Sequence, residues 1–474
     1  MERLTIREVI RAVRGELICG SQRGEISGVS IDSRTIKKGE IFFALKGERF
    51  DGHDFLDEAI EKGAKAVVVS RKKKLATRIA IIRVAHTLTA LQELAKFYRQ
   101  KFNPVVVGVT GSNGKTTTKD MLKALLLSKY KVVATTGNYN NIVGLPLTLF
   151  GIFPEAKFLV LEMGANHAGE IKRLAEISLP QIGVITNIGA THLQFFRCIS
   201  NVLSAKMELV QLLPPQGKVV LNIDDFHLRN QFKRIKREII TFGTNRQADV
   251  RASDVVASRS WGKEKLSFTV HVGRDRKEFD LYCLGRYNIY NALAAISVAK
   301  EFDISLPLMA DVLREFKFPK LRMEKLKYGK VTIINDAYNA NPTSVKAALS
   351  ELISSFPSQR KIVVLGDMLE LGTMSRKFHQ EIGKIVATSP IYSLITIGED
   401  ARFIARGARE WGMERSNIFS FKDKKFASRK LKELLKAKDA VLIKGSRKMG
   451  LEEVTKYLTL CCYRKECSGR AKLC

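Results

Sequence analysis

Residues 111–117 read Gly111-Ser112-Asn113-Gly114-Lys115-Thr116-Thr117, a glycine-rich loop that contains a Lys-Thr pair. An apolar run, Pro104–Val109, precedes the loop, and a helical pattern over Thr116–Leu127 follows it. Glycines allow backbone N–H groups to turn towards phosphate oxygens, and a helix N-terminus adds partial positive charge. In such a loop the lysine reaches the β- and γ-phosphates and the first threonine hydroxyl ligates Mg²⁺. The stretch therefore predicts a nucleotide-binding unit, although Val109 stands where the common spacing has glycine and a plain glycine-rich turn is the alternative.

Strand-like and helical segments alternate along most of the 474 residues, which is typical of α/β domains. At roughly 150 residues per domain, the length fits three domains. We place these at 1–85, 86–318 and 319–460, followed by a basic, cysteine-rich tail at 461–474. The second and third domains are expected to contain parallel sheets, and the β runs between 250 and 284 are expected to form a small antiparallel sheet. The other strand-like runs are Ile41–Leu45, Ala66–Val69, Phe158–Leu161, Ile182–Ile188, Lys218–Ile223, Lys330–Asn335, Lys361–Leu365, Leu394–Ile397 and Ala440–Lys444.

The chain is strongly basic, with 80 Lys and Arg residues against 48 Asp and Glu residues and a net charge of +32. This charge excludes an acidic protein and indicates a polyanionic partner: nucleic acid, anionic lipid or a phosphorylated ligand. No apolar run approaches the ~18 residues of a membrane span. Glu2 and Glu8 interrupt the N-terminal apolar pattern, unlike a signal peptide. Seven sparse cysteines are typical of reduced thiols, so we expect a cytoplasmic protein.

Three further side chains are candidates for a site beside the loop. Glu162 ends the run Phe158–Leu161, and the carboxyl ends of parallel strands face the ligand crevice, where a carboxylate can hold Mg²⁺. A carboxylate at a helix N-terminus is an equally good explanation. His192 follows the next strand run, but a lone histidine is usually structural. Lys206 lies in a helical segment, where a solvated helix face is the plainer interpretation.

Taken together, these residues resemble the Mur ligases, the ATP-dependent amide ligases that build the peptide stem of peptidoglycan. The family loop T-G-[ST]-N-G-K-T-[ST] stands here as Thr110–Thr117 with the family's own spacing, and the resemblance covers roughly residues 28–458. Four stretches resemble the members that add D-alanyl-D-alanine. These are Asp336–Ser344, Leu365–Gly372, Asn140-Asn141 before Gly144-Leu145-Pro146, and Lys444–Arg447. The stretches D-Y-A-H-T-P, D-N-P-R and D-G-A-H-N-P, which mark other branches, are absent from the sequence.

The resemblance implies an N-terminal domain for the UDP-substrate, a central ATPase domain and a C-terminal Rossmann-like domain for the dipeptide. It implies an ADP-forming peptide ligase that adds D-alanyl-D-alanine to UDP-N-acetylmuramoyl-tripeptide (UDP-MurNAc-tripeptide) through an acyl phosphate, giving the pentapeptide precursor. The implied biological context is peptidoglycan and cell wall synthesis, cell shape and cell division. The implied cofactors are ATP and Mg²⁺, with no nucleic-acid partner and no required oligomer.

Carried over by motif, the resemblance also implies a role for each matching residue. The ATP-binding residues would be Gly111, Ser112, Asn113, Gly114, Lys115, Thr116, Thr117, Asn288, Asn291, Arg322 and Asp336. The substrate-binding residues would be Asp32, Ser33, Arg34, Asn140, Asn141, Tyr338, Asn339 and Asn341. The magnesium ligands or their near neighbours would be Thr116, Glu162 and His192. The catalytic residues would be Lys115, Lys206 as a carbamate, His192 and Arg322.

Some positions depart from the family pattern. Tyr287 stands where the family usually has histidine, and Leu321 replaces a usual glycine before Arg322. Gln194–Arg197 lacks the acidic and glycine positions that usually follow the histidine. Two other classes remain as alternatives: a nucleic-acid-binding NTPase, which the net charge of +32 motivates, and a non-catalytic scaffold. No nucleic-acid recognition motif supports the first, and the intact Lys-Thr pair argues against the second.

Overall fold

The computed structural model describes residues 1–71, 78–260 and 263–458. Within them, each third of the chain builds one large sheet flanked by helices. The predicted three-domain α/β fold is therefore confirmed, while the exact domain boundaries stay a prediction. The predicted tail at 461–474 lies outside the described residues.

The N-terminal third contains a five-stranded sheet with the order β2-β7-β6-β5-β4, and β1 pairs with β3 in a separate ribbon. All pairs in the larger sheet are parallel except β2–β7. Helix α3 packs against α1 and also against the helices Gly144–Leu149 and Glu170–Ser178 of the central third, so one apolar core is continuous between the N-terminal and central thirds. The elements are β1 Leu4–Thr5, α1 Ile6–Val13, β2 Glu16–Cys19, β3 Glu25–Ile26, β4 Gly28–Ser30, β5 Glu40–Phe43, α2 Leu56–Glu61, β6 Ala66–Val69, β7 Ala80–Arg83 and α3 Thr87–Gln100.

The central third contains a nine-stranded sheet with the order β16-β15-β14-β13-β12-β11-β8-β10-β9. From the edge strand β9 across the sheet to β14, every neighbouring pair, including those of β8, is parallel. Strands β14, β15 and β16 continue the same sheet as the expected antiparallel strands. The elements are β8 Val105–Thr110, α4 Lys115–Leu127, β9 Val132–Ala134, α5 Gly144–Leu149, β10 Phe158–Glu162, α6 Glu170–Ser178, β11 Ile182–Ile185, α7 Leu193–Phe196, α8 Ile199–Gln211, β12 Lys218–Asn222, α9 Phe226–Arg229, β13 Glu238–Gly243, β14 Val250–Ser260, β15 Lys263–Val272, β16 Asp275–Leu281, α10 Tyr287–Lys300 and α11 Leu306–Arg314. Because β8 lies between β10 and β11, the loops that follow these three strands meet at one edge of the sheet.

The C-terminal third contains a six-stranded sheet with the order β17-β18-β22-β19-β20-β21, parallel except for the pair β17–β18. The elements are β17 Glu324–Tyr328, β18 Val331–Asp336, α12 Pro342–Ser355, β19 Lys361–Gly366, α13 Ser375–Ala387, β20 Ser393–Ile397, α14 Arg402–Glu410, β21 Ile418–Phe421, α15 Lys424–Leu434 and β22 Ala440–Lys444. Residues 452–458 form a last described helical segment. Across the described ranges, we find no helix with the length and apolarity that a membrane crossing requires.

Candidate active site

The phosphate loop between β8 and α4 requires glycine at two positions. Gly111 and Gly114 have φ angles of +141° and +84°. A Cβ atom would lie 2.0 Å from Thr186 Oγ1 at the first position and 2.2 Å from Asn291 Oδ1 at the second. The Thr186 hydroxyl donates a hydrogen bond of 2.6 Å to the carbonyl of Asn113. Neighbouring elements therefore hold the loop in a fixed conformation at the N-terminus of α4, as a phosphate cradle needs.

The Lys-Thr pair connects this loop to the linker that leads into the C-terminal domain. Lys115 Nζ donates to the Gly111 carbonyl at 2.8 Å. Burial is the main cause that lowers the pKa of Lys115, the nearby Arg322 charge adds to this, and Glu162 opposes it. Arg322 Nη2 donates to Thr116 Oγ1 at 3.0 Å. Two cations and one carboxylate thus surround the predicted position of the phosphates.

Glu162 at the end of β10 has the features of a cation ligand. It is 2% exposed, and its Oε1 atom accepts a hydrogen bond of 2.7 Å from Asn140 Nδ2. Its Oε2 atom is buried without a hydrogen-bond partner among the described residues. The part of the chain that the structure describes has no group of three or more His, Cys, Asp or Glu residues arranged to hold a metal. One carboxylate and the Thr116 hydroxyl fit Mg²⁺, which usually takes one or two protein ligands besides phosphate and water.

His192 pairs with a carboxylate of the C-terminal domain that sequence reasoning did not single out. Its Nδ1 atom lies 2.5 Å from Oε2 of Glu370, and this hydrogen bond is the main cause that lowers the pKa of Glu370. Both residues line the same cavity as Thr116 and Glu162. The two partners are 178 positions apart, so no local pattern could have indicated the pair. The predicted role of His192 near magnesium stays a prediction.

Lys206 on α8 is not a surface lysine. It is 1% exposed, so the interpretation as a solvated helix face is wrong. Burial, and then the charge of Lys115, lower the pKa of Lys206 to about 7. Its Nζ atom lies 5.8 Å from the centre of the Phe196 ring. The side chain is therefore prepared to lose its proton near neutral pH.

The residues predicted to lie beside the adenine and ribose have partners within the protein. Asn291 Nδ2 donates to Asn288 Oδ1 at 3.0 Å on the buried helix α10. Asp336 at the end of β18 accepts hydrogen bonds from Lys444 Nζ at 2.6 Å and from the Met323 N–H at 3.2 Å. The Lys444 partner was not singled out by itself, although the stretch around it was.

Two predicted residues of the C-terminal domain, Arg322 and Asn341, bond the phosphate loop, and Tyr338 and Asn339 lie beside them. The Arg322 guanidinium stacks 4.0 Å from the centre of the Tyr338 ring. Asn341 Nδ2 donates to Asn113 Oδ1 at 2.8 Å. The side-chain oxygen of Asn339 accepts a hydrogen bond of 2.9 Å from the next backbone N–H group. The C-terminal domain thus contributes directly to the surroundings of the predicted ATP site.

A cavity of about 1310 Å³ lies between the central and C-terminal domains. It is lined by all of the predicted site residues except Gly111, Lys206, Asp32, Ser33 and Arg34. The last three lie in the N-terminal domain, where Arg34 Nη2 is 2.7 Å from Asp32 Oδ2 and Ser33 Oγ donates to Glu58 at 2.7 Å. The Arg34 hydrogen bond is the main cause that lowers the pKa of Asp32 to about 2. The structure therefore brings the predicted ATP-binding residues together with the other predicted substrate-binding residues and places Asp32, Ser33 and Arg34 apart from them.

Family models and known proteins match this chain over nearly its whole length. The models are the Mur ligase family catalytic domain at residues 25–99, the Mur ligase middle domain at 109–299 and the Mur ligase glutamate ligase domain at 321–447. The UDP-N-acetylmuramoyl-tripeptide–D-alanyl-D-alanine ligase of Bacillus subtilis is 38% identical over 97% of this chain and 99% of its own length. The ligase of the same name from Escherichia coli is 33% identical over 96% of this chain and 98% of its own length.

Solved structures agree with these sequence matches. A crystal structure of MurF from Acinetobacter baumannii superimposes with a TM-score of 0.88 at 30% identity, over 97% of this chain and 99% of that chain. The MurF ligase from Thermotoga maritima in complex with ADP superimposes with a TM-score of 0.81 at 30% identity, over 91% of this chain and 96% of that chain. With three family models in the expected order and relatives that align from end to end, this chain belongs to the Mur ligase family.

Proposed function

We propose that this chain joins D-alanyl-D-alanine to UDP-MurNAc-tripeptide in an ATP-dependent, ADP-forming reaction. The relatives that align over nearly the full chain carry the name of this activity. The observation that carries the proposal is the bond from Arg322 to Thr116, because it joins the phosphate loop to the domain expected to bind the dipeptide. The product is the pentapeptide precursor of peptidoglycan.

An amide does not form from a carboxylate and an amine without activation. The γ-phosphoryl group of ATP passes to the terminal carboxylate of the tripeptide, the dipeptide amine attacks the resulting acyl phosphate, and phosphate leaves. The protein mainly positions the reactants and neutralises negative charge. Lys115 and Arg322 supply that charge from the two sides of the cavity. A free α-amine has a pKa of roughly 7.7–8.0, so a modest shift frees it for attack.

Magnesium is the metal that the donor set favours. The buried Oε2 atom of Glu162, which has no partner among the described residues, and the hydroxyl of Thr116 would hold it, with His192 as a near neighbour. When bound, Mg²⁺ neutralises phosphate charge. Phosphate and water would supply its remaining ligands.

Lys206 is proposed to act as a carbamate. A lysine with a pKa of about 7 has a substantial neutral fraction at neutral pH, and its amine adds CO₂ with loss of a proton. The product is a carboxylate on a long stem, which is a suitable partner for a magnesium-bound water. An ammonium group at this position would instead repel Lys115 and the metal.

We also propose that the protein works in the cytoplasm without nucleic acid and without a required oligomer. Cys198 and Cys283 form no disulfide bond within the described residues, which suits a reducing compartment. The net charge of +32 then suits substrates that carry phosphate groups.

The direct test measures phosphate release from ATP with UDP-MurNAc-tripeptide, with and without D-alanyl-D-alanine. We expect release to require both substrates, and D-alanine or L-lysine to be poor replacements for the dipeptide. Equal release with all three acceptors would reject the dipeptide assignment. DNA-stimulated ATPase activity with submicromolar, salt-sensitive DNA binding would favour the nucleic-acid alternative instead.

A further inference from the structure

Glu370 connects two domains at the reaction cavity and takes no part in the proposed steps of the reaction. Its carboxylate Oε2 atom lies 2.5 Å from Nδ1 of His192, and its backbone carbonyl accepts a hydrogen bond of 2.9 Å from the Gln194 N–H group. The side chains of His192 and Glu370 are 25% and 29% exposed. One residue of the C-terminal domain thus holds residues 192–194 of the central domain, the histidine loop, through both its side chain and its backbone.

The C-terminal domain fixes the position of Glu370 itself. The Met368 N–H group donates to Nε2 of the fully buried His379 at 3.0 Å. The Leu369 N–H group donates to Ser446 Oγ at 2.8 Å. Glu370 has a φ angle of +64°, a conformation that a non-glycine residue adopts only when its surroundings impose it. The backbone that carries the Glu370 carboxylate is therefore fixed within the C-terminal domain.

The histidine loop is shaped to receive this carboxylate. His192 also has a positive φ angle, +53°, at the residue that precedes the short helix α7. A Cβ atom at Gly372 would lie 3.0 Å from Gln194 Cα, so the two loops approach each other closely at the backbone. The contact is thus a close fit between two loops and not a chance meeting of two long side chains.

The pairing determines which nitrogen of His192 is available for chemistry. A carboxylate can only accept a hydrogen bond, so Nδ1 carries the proton. Nε2 makes no hydrogen bond with any described residue, and His192 lines the cavity together with Thr116 and Glu162. Histidines that act through one ring nitrogen commonly have the other fixed by a carboxylate, which sets the tautomer and the ring orientation.

We propose that Glu370 is a positioning residue that orients His192, so that Nε2 faces the reaction only when the C-terminal domain is docked. Docking of the C-terminal domain then also orients His192 for the reaction. The inference rests on the proposed function for the identity of the reaction, but the contact itself does not depend on it.

The test compares Glu370→Ala and Glu370→Gln with Glu410→Gln, an exposed glutamate on α14 that serves as the control. Nitrogen-15 NMR of histidine-labelled protein, with the His192 signals assigned by their loss in His192→Gln, reports the tautomer directly. We expect protonated Nδ1 in the wild type and in the control, and a change towards the Nε2-protonated form in Glu370→Ala. We expect Glu370→Ala to lower kcat by about 10- to 100-fold, with little change in KM for the dipeptide.

The double variant His192→Gln/Glu370→Ala is expected to be no slower than His192→Gln alone, because both changes remove the same interaction. Independent, multiplied losses, or an unchanged His192 spectrum in Glu370→Ala, would overturn the proposal. A rise in dipeptide KM alone would also overturn it and would indicate that Glu370 binds the dipeptide ammonium. If Glu370→Ala does not fold, Glu370→Gln decides the same comparison, because a neutral amide weakens the bond and shifts the Nδ1 signal. A wild type without dipeptide-dependent phosphate release would reject the proposed function and leave the NMR result to decide the pairing.

Discussion

Lys115 is a cation that the phosphate loop holds in place before any phosphate arrives. The carbonyls of Gly111 and Ser112 accept its hydrogen bonds at 2.8 and 3.3 Å. We expect Lys115→Ala to lower the rate of phosphate release by about 10²- to 10³-fold, since it removes a preorganised charge at the site of transfer. The thermal melting temperature should stay close to that of Lys129→Ala, an exposed lysine two residues beyond the end of the same helix. Near-normal turnover of Lys115→Ala would contradict its role.

Lys206 should make the activity of the protein depend on pH. Its lowered pKa of about 7 means that the neutral amine predominates above that pH and the ammonium below it. Carbamate formation needs the neutral amine, so we expect carbamylation and activity to fall as the pH drops below about 7. A carbonyl signal from ¹³C-labelled bicarbonate, measured by NMR against pH, checks this expectation.

The Lys206→Ala variant tests the same group by removal. We expect a rate loss of about 10- to 100-fold, the usual effect of deleting a side chain that supports a metal ligand. Added formate or acetate should restore part of the rate, and removal of CO₂ and bicarbonate should slow the wild type. Lys172→Ala, an exposed lysine, is the control. Full activity of Lys206→Ala would end the carbamate proposal while the ligase assignment stood.

Among single elements, helix α12 is capped by Asn341, a residue that makes two different contacts. The Asn341 side chain accepts the Ser344 N–H group at 2.9 Å in a capping box, and its amide also donates to Asn113 Oδ1 in the phosphate loop. Serine also caps helices well but lacks the amide. We therefore expect Asn341→Ala to lower the free energy of unfolding by about 0.5–2 kcal/mol and Asn341→Ser to change it little.

Urea denaturation measures the effect of each variant on the helix cap, and KM for ATP measures its effect on the contact with the phosphate loop. Both variants lose the bond to Asn113, so both should raise KM for ATP by a similar factor. If only Asn341→Ala raised KM, the effect would come from the helix start and not from the contact between domains. If neither variant changed stability, the cap would contribute nothing measurable.

Elements were predictable from the sequence where the signal is local and the strand is buried. The run 105–109 and the glycine loop after it indicated β8 and α4 because strand, loop and helix are contiguous. The edge strands β17 and β21 went unpredicted, since Glu324–Tyr328 is mostly polar and Ile418–Phe421 is short. Strand β11 ends at Ile185 and not at Ile188 as predicted, because Thr186 turns to bond the phosphate loop.

At the scale of the whole molecule, the site depends on contacts between distant parts of the chain. Asp336 meets Lys444, 108 positions away, because β18 and β22 are neighbours in the C-terminal sheet. His192 meets Glu370 only because two domains dock. Motif resemblance indicated that Asp336 and His192 belong to the site, but a motif contains no information about partners that the sheet order and the domain contact bring to it.

Arg322 is where docking of the C-terminal domain can be tested as a property of the whole molecule. Its guanidinium bonds Thr116 of the central domain and stacks on Tyr338 of the C-terminal domain. Lysine keeps the charge but has neither the planar face nor the forked donors, so Arg322→Lys should lower kcat/KM for ATP by about 10- to 100-fold.

Small-angle X-ray scattering should show a smaller decrease in the radius of gyration of Arg322→Lys than of the wild type when a non-hydrolysable ATP analogue is added. The exposed Arg314→Lys is the matched control, since its side chain pairs, among the described residues, with Asp311 on the same helix. Equal compaction of Arg322→Lys and wild type, together with a lowered kcat/KM, would assign Arg322 to phosphate binding alone and would leave docking to the contacts of Asn341 and Glu370.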